Sequence, residues 1–294
     1  MTNYLRAALI AALIAMPAAQ GAVSVFDDAG KRVTLARPAR RVISMAPHIT
    51  ELLFAAGGGE RIVGAMSFSD YPEAAKRIPL VGNNANIDLE RVIALKPDLL
   101  VVWQSGNTAR QLEQLSQLGV PIFFSEPHRL DEVATSLTRL GQLLGTEASA
   151  NAAAASYRAH IAALAVRYSA RPPVRVFYQI WDKPLYTLNG QHIVSDALRL
   201  CGAENIFGAL KVVAPAVSVE AVLQENPEVI LGGDQHDLAD AGLNIWKPYK
   251  GLLAVQRGNL YTLGGELLTR AGPRMAEGAA GLCEKLEQAR QRRK

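Results

Sequence analysis

Short, nearly continuous apolar runs alternate with stretches of helical spacing along the chain. Residues 98–103 (D-L-L-V-V-W) and 120–124 (V-P-I-F-F) are apolar runs of the kind found in strands covered on both faces. Residues 88–95 and 109–118 repeat their apolar positions every three or four residues, which predicts helices. Because strands and helices alternate, the pattern predicts an α/β fold with mainly parallel sheets flanked by helices.

A long helical stretch separates two halves of the chain, each with this alternation of strands and helices. Residues 147–168 are rich in alanine and lack proline and glycine, which predicts one helix of about 22 residues, roughly 33 Å long. It is either a rigid connector between two lobes or a surface helix of one lobe. The connector interpretation gives a signal peptide at 1–22, an N-terminal lobe at 23–146, a connecting helix at 147–170 and a C-terminal lobe at 171–294.

The two halves contain an internal repeat. Residues 87–101 (I-D-L-E-R-V-I-A-L-K-P-D-L-L-V) align without a gap with residues 217–231 (V-S-V-E-A-V-L-Q-E-N-P-E-V-I-L), at an offset of 130. Residues 58–64 match residues 202–208 at an offset of 144, so the halves differ by an insertion or deletion. Two similar lobes are the simplest explanation. Facing α/β lobes leave a cleft at the carboxyl ends of their strands, where such sheets bind ligands.

The N-terminus has the pattern of a secretory signal peptide. Arg6 precedes an apolar stretch of about ten residues at 7–16, and small residues follow at 17–22. The stretch is too short to cross a bilayer core of roughly 30 Å, and no later stretch reaches roughly 18 consecutive apolar residues. We therefore expect cleavage between Ala19 and Ala22 and a soluble protein in the periplasm. The alternative is a buried N-terminal helix.

The composition of the 294 residues is that of a soluble globular protein, with 49% hydrophobic and 20% charged residues. The net charge of +4 arises largely from residues 290–294, so nucleic-acid binding is not predicted. Nucleophile-elbow, phosphate-loop, dinucleotide-binding and H-E-x-x-H zinc motifs are absent, and the five histidines are scattered. We therefore expect a binding protein without a cofactor or metal site. An enzyme that uses the cleft is the less favoured alternative.

Both cysteines, Cys201 and Cys283, fall in the second half of the chain. In an oxidising compartment two cysteines can form one disulfide, which would tie a helix early in the second lobe to the C-terminal helix. Such a bond closes a loop of roughly 80 residues and stabilises the fold by a few kcal/mol. The alternative is two buried free thiols.

Aromatic residues mark the candidate cleft. Trp103 ends a strand of the first half, Trp181 ends a strand of the second half, and Phe68 and Tyr71 lie in the loop F-S-D-Y-P. Flat apolar side chains at strand ends suit a large planar or macrocyclic ligand. Core packing is the alternative for each aromatic taken singly.

Two acidic residues occupy the same position of the repeat. Glu90 and Glu220 each lie two residues after a candidate helix N-cap, Asp88 or Ser218. Taken singly, each is explained by a favourable interaction with the helix dipole, worth about 0.3–1 kcal/mol. As a pair related by pseudo-symmetry, they suit docking onto a symmetric basic partner.

Five segments resemble the periplasmic cobalamin-binding proteins of ABC importers. They are R-V-I-S-M-A-P-H-I-T-E-L-L-F-A-A-G (41–57), S-D-Y-P (69–72), L-E-R-V-I-A-L-K-P-D-L-L-V-V-W (89–103), C-G-A-E-N-I-F (201–207) and R-A-G-P-R (270–274). The first-lobe motifs are shared with siderophore and haem binders, whereas S-D-Y-P together with C-G-A-E-N-I-F favours cobalamin. The resemblance covers almost all of the predicted mature chain.

The resemblance implies a class III solute-binding fold that holds cobalamin or a related corrinoid between its lobes, with haem or a ferric siderophore as the alternative ligand. It implies a monomer that delivers the ligand to an ABC importer, with Glu90 and Glu220 docking onto arginines of the membrane permease. It also implies a Cys201–Cys283 disulfide. The expected ligand contacts are Pro47, Phe68, Tyr71, Trp103, Trp181, Glu266, Leu267, Leu268, Thr269 and Arg270, the last at the position of the family's arginine.

The chain departs from the family's pattern inside the cleft. The family often has a tryptophan near Asn84 and another near Ala214, and an aromatic pair where Leu267 and Leu268 stand here. These changes leave open which corrinoid is bound. His48 lies just past a strand end, from which it could reach the cleft and a metal-containing ligand.

Overall fold

The computed structural model describes residues 21–233 and 242–293. Most of the predicted signal peptide lies outside these residues. Within them, no helix is both long enough and apolar enough to cross a membrane.

Two four-stranded parallel sheets form the framework. An antiparallel hairpin, β1 (Val23–Phe26) and β2 (Arg32–Leu35), precedes the first sheet. That sheet has the order β4-β3-β5-β6 and contains β3 (Val42–Ser44), β4 (Ile62–Ala65), β5 (Leu99–Val102) and β6 (Ile122–Phe124). The second has the order β10-β7-β11-β12 and contains β7 (Val174–Gln179), β10 (Ala203–Asn205), β11 (Val229–Gly233) and β12 (Leu260–Leu263). Between β7 and β10 lies a small antiparallel hairpin, β8 (Trp181–Asp182) and β9 (Leu185–Tyr186).

Helices connect the strands and cover the sheets. In the first half they are α1 (Pro47–Ala55), α2 (Leu89–Ala94), α3 (Ala109–Ser116) and α4 (Leu130–Leu144). The long α5 (Glu147–Tyr168) follows. The second half contains α6 (Ile193–Leu200), α7 (Val219–Glu225), α8 (Leu253–Gln256), α9 (Gly265–Thr269) and α10 (Met275–Gln291). Short 3-10 helices span Gly59–Arg61, Glu73–Arg77 and Leu243–Trp246.

Both sheets have the same topology, which confirms the predicted fold class of two similar α/β lobes. Leaving the β8–β9 hairpin aside, the strands of each sheet follow the order second, first, third, fourth. The repeat extends to helix ends. Asp88 caps α2 and Ser218 caps α7, each by accepting a backbone N–H three residues on. Lys96 and Asn226, 130 positions apart, share a φ of 45° just after these helices.

The helix α5 joins the two lobes. It packs against α1 and α4 of the N-terminal lobe and against α6 and α10 of the C-terminal lobe. It lies so close to α4 that a Cβ atom at Gly141 would be 2.2 Å from the Cβ of Ala150, so this crossing requires glycine. One continuous hydrophobic cluster includes Leu144 of α4, Ala154 of α5 and Leu282 of α10. The lobes therefore share a core, which restricts their relative motion.

The predicted disulfide is present. Cys201, at the end of α6, is bonded to Cys283 in α10, and the two are separated by 82 positions in the sequence. Both residues are fully buried in the core of the C-terminal lobe.

Candidate functional site

A cavity of about 380 Å³ lies between the lobes, at the carboxyl ends of several strands. This is the edge at which parallel α/β sheets bind ligands. Close by, the N–H of Leu130 at the start of α4 donates a hydrogen bond of 2.9 Å to Asp196 in α6, which joins the lobes. The N-terminal lobe lines the cavity with His48, Trp103, Gln104, Ser105, Glu126, Pro127 and His128, and the C-terminal lobe with His192, Ile193, Val213, Thr269 and Ala271.

Trp103 is held in one orientation by its neighbours. Its Nε1–H donates a hydrogen bond of 3.1 Å to Glu126, whose other carboxylate oxygen accepts the backbone N–H of Ser105 at 2.8 Å. A Cβ atom at Gly106 would lie only 1.9 Å from the indole ring, so only glycine allows this close approach. The indole therefore forms a rigid apolar wall.

Two histidines in the lining are neutral at neutral pH. Burial, reinforced by the charge of Arg270, lowers the pKa of His48 to about 3. Its ring makes an edge-to-face contact with Trp103 at a centroid distance of 5.3 Å. Burial and the nearby His128 lower the pKa of His192 to about 4. The Nδ1 atom of His192 accepts the N–H of Val194, so this histidine caps α6.

Next to the cavity, a cluster of charged side chains joins the lobes. Arg274 binds the Glu51 carboxylate in a bidentate manner, with distances of 3.0 Å from Nε and 2.6 Å from Nη2. Arg270 donates to Asp70 at 2.8 Å and to Glu266 at 2.7 Å, and lies 3.3 Å from Glu51. Glu51, in α1, is only 3% exposed. We call these five residues the cross-lobe cluster.

The predicted ligand contacts fall into separate groups. Trp103 and Thr269 line the cavity, whereas Arg270 and Glu266 belong to the cross-lobe cluster. Tyr71 lies outside the cavity lining, with the Arg274 guanidinium 4.1 Å from its ring centroid.

Other predicted contacts lie outside the cavity lining. Phe68, which has a left-handed φ of 66°, is 68% exposed. Trp181 is 47% exposed, and its indole bonds the carbonyl of Lys183 in its own hairpin. Pro47 opens α1.

The position of Leu268 disagrees with its predicted role. It is fully buried in the hydrophobic core, so it is not available to a ligand in this conformation, whereas its neighbour Leu267 is partly buried. Sequence reasoning missed Glu126, His128 and His192. The sequence does contain a signal for Glu126, because this residue lies two positions after the apolar strand β6. Trp103, which was predicted, directly follows β5 in the same way.

The two repeat-related glutamates are both exposed. Glu90 and Glu220 lie in the first turns of α2 and α7. Hydrogen bonds from its own backbone N–H and from Ser218 hold the pKa of Glu220 below its usual value, so its charge is retained.

A family model described as "Periplasmic binding protein" matches residues 42–267. The chain is a member of the periplasmic binding protein family. This binding protein is 39% identical over 251 residues to the vitamin B12-binding protein of Yersinia pestis, a match that covers 85% of this chain and 88% of the relative.

Solved structures of related proteins have the same fold. The periplasmic vitamin B12 binding protein BtuF of Vibrio cholerae superposes on this binding protein with a TM-score of 0.80 at 36% identity, covering 86% of this chain and 98% of that one. The periplasmic heme-binding protein RhuT from Roseiflexus gives a TM-score of 0.74 at 25% identity, covering 85% and 99%. These relatives are solute-binding proteins.

Proposed function

We propose that this protein captures cobalamin or a related corrinoid in the interlobe cleft and hands it to an ABC importer. The observation that carries the proposal is the similarity to vitamin B12-binding proteins at 36% and 39% identity along most of the chain. The cleft is compatible with it, because Trp103 offers a rigid flat wall for a macrocycle. In this role the corrinoid is the cargo and the protein is a carrier without catalytic activity.

The dimensions of the cavity restrict how such a ligand enters. Small-molecule sites measure roughly 300–1,000 Å³, and the cavity of about 380 Å³ is at the lower end of that range. A corrinoid is larger than most drug-sized ligands. Part of the macrocycle therefore enters the cavity beside Trp103, and the rest extends toward the exposed aromatic side chains of Phe68 and Trp181.

The ligand assignment is tested by calorimetric titration of the ligand-free protein with cyanocobalamin, and with haem in a parallel experiment. We expect one-to-one binding of cyanocobalamin and much weaker binding of haem. Binding of haem without binding of cyanocobalamin would contradict the assignment.

For delivery we propose a periplasmic monomer, exported by a cleaved signal peptide at 1–22 and divided into lobes at 23–146 and 171–294 around the connector 147–170. Glu90 and Glu220 would contact basic residues of the permease subunits, one on each lobe. Their equivalent positions on α2 and α7 and their exposure support this role.

The docking role is tested by reversing both charges. We expect Glu90→Arg/Glu220→Arg to bind cyanocobalamin like the wild type and to lose corrinoid uptake when expressed with its importer. Glu113→Arg is a matched control, because Glu113 is an exposed glutamate on α3 outside the repeat pair. Equal uptake by the double variant and the control would contradict the docking role.

A further inference from the structure

The cross-lobe cluster pairs the two arginines of the segment that follows Thr269 with carboxylates. Its three carboxylates, on Glu51, Asp70 and Glu266, face the two guanidinium groups of Arg270 and Arg274, which leaves one negative charge in excess. Burial opposes ionisation of Asp70, but the hydrogen bond and charge of Arg270 outweigh it and hold the pKa of this carboxyl below its usual value. Arg270 is therefore engaged by an ionised Asp70 at neutral pH.

The cluster is close enough to the cavity to influence a bound ligand. Thr269 and Ala271, the neighbours of Arg270, both line the cavity. The charge of Arg270 also lowers the pKa of His48 in the lining, after the larger effect of burial. An arginine released from its carboxylate partners would be within reach of a ligand group at this end of the cleft.

Among the described residues that line this cavity there is no lysine or arginine, and Glu126 contributes a carboxylate. His48 and His192 are neutral because burial lowers the pKa of each. A carboxylate entering this cavity would lose its hydration without gaining a lysine or arginine partner from the lining, which is unfavourable.

From these observations we infer that Glu51, Asp70 and Glu266 determine the charge class of the ligand. By occupying Arg270 and Arg274, they deny an ionic partner to ligands that carry carboxylates. Haem presents two propionates, whereas the corrin ring of cyanocobalamin presents uncharged amides, which need hydrogen bonds only. The cluster thus selects the corrinoid against haem, an inference that rests on the proposed function.

The test uses Asp70→Asn, because Asp70 is the more exposed of the two N-terminal-lobe carboxylates and its replacement by an isosteric amide disturbs packing least. Calorimetric titrations would give Kd for cyanocobalamin and for haem, and circular dichroism would check the fold. We expect the ratio of the haem Kd to the cyanocobalamin Kd to fall about tenfold, equivalent to about 1.4 kcal/mol. The reason is that Asp70→Asn removes one of the three carboxylates that Arg270 bonds, so the excess negative charge of the cluster is lost. Glu51→Gln should change the ratio in the same direction.

Two controls test whether the change in the Kd ratio is caused by charge. Haem dimethyl ester has no free carboxylates, so its affinity should not rise in Asp70→Asn. Asp131→Asn removes an exposed ion pair with Arg158 on α5, far along the chain from the cluster, and should leave the ratio as in the wild type. An unchanged ratio in Asp70→Asn and Glu51→Gln, with tight cyanocobalamin binding by the wild type, would overturn the charge inference alone. Failure of the wild type to bind cyanocobalamin would overturn the proposed function as well.

Discussion

The two lobes have the same strand order but present very different surfaces to the cleft. In the N-terminal lobe, Trp103 is fixed by a hydrogen bond to Glu126 and by close contact with Gly106. In the C-terminal lobe, Trp181 stands half exposed on a two-residue strand and bonds only a carbonyl of its own hairpin among the contacts described. The repeat therefore determines the framework, while the site is asymmetric.

The carboxylates of the cross-lobe cluster also differ between the lobes, and this difference predicts the largest effect on stability. Glu51 is buried beneath both cluster arginines, whereas Glu266 is more exposed. Glu51→Ala should lower the free energy of unfolding by about 3 kcal/mol, because it leaves Arg274 without its bidentate partner and Arg270 without its buried one. Urea denaturation measures this change.

The matched control for Glu51→Ala is Asp131→Ala, which removes the exposed pair with Arg158. It should cost less than about 1 kcal/mol, as exposed ion pairs do. Equal losses in the two variants would show that the buried cluster does not hold the lobes together.

The two tryptophans should differ in their contribution to binding. Trp103→Ala should weaken cyanocobalamin binding about 30-fold, equivalent to about 2 kcal/mol, because it removes a rigid, partly buried wall. Trp181→Ala should weaken it only about threefold, since that side chain is half exposed and lies outside the cavity lining. Calorimetric titration of both variants measures the difference, and the reverse order would place the main contact on the C-terminal lobe.

Acidification should destabilise the folded protein through His192, a residue of the cavity lining. The pKa of His192 is about 4 in the folded protein and about 6.5 when unfolded, so the unfolded state binds the proton first as pH falls. Between pH 7 and pH 5 this histidine should remove about 2 kcal/mol of stability, at about 1.4 kcal/mol per pH unit below 6.5. His192→Asn preserves a capping side chain and should reduce the loss by that amount in urea denaturation at the two pH values. An identical loss in the variant would contradict the buried, neutral state.

The smallest effect concerns the partner of Trp103. Glu126→Gln keeps the shape of the side chain but replaces a charged acceptor with a neutral one. It should lower stability by about 1 kcal/mol and leave the indole in place, because charged hydrogen bonds are roughly twice as strong as neutral ones. Thermal unfolding and near-ultraviolet circular dichroism measure the two effects; a changed tryptophan signal would show that the charge itself orients the ring.

Local patterns in the sequence were sufficient to predict the framework. The repeat marks the helix caps at Asp88 and Ser218. The alanine-rich stretch without proline or glycine predicts the long α5, and the presence of two cysteines predicts the disulfide of Cys201. Trp103 was found because it follows a continuous apolar strand.

The remaining features depend on contacts between distant residues. The bonds from Arg270 and Arg274 to Glu51 span 219 and 223 positions, and no local pattern marks them. The resemblance alone predicts Leu268 as a ligand contact, and no local pattern shows which way α9 turns its side chains. That orientation depends on the packing of α9 against α10. There, a Cβ atom at Gly278 would lie 2.5 Å from the carbonyl oxygen of Leu267.

The central claim is that a corrinoid binds between the lobes against Trp103 while the cross-lobe cluster stays intact. X-ray diffraction from crystals grown with cyanocobalamin tests it most directly. We expect electron density for the corrin beside the indole of Trp103, with Arg274 still bonded to Glu51. Density for the ligand at another surface, or a broken Arg274–Glu51 pair with the arginine on the ligand, would contradict this account.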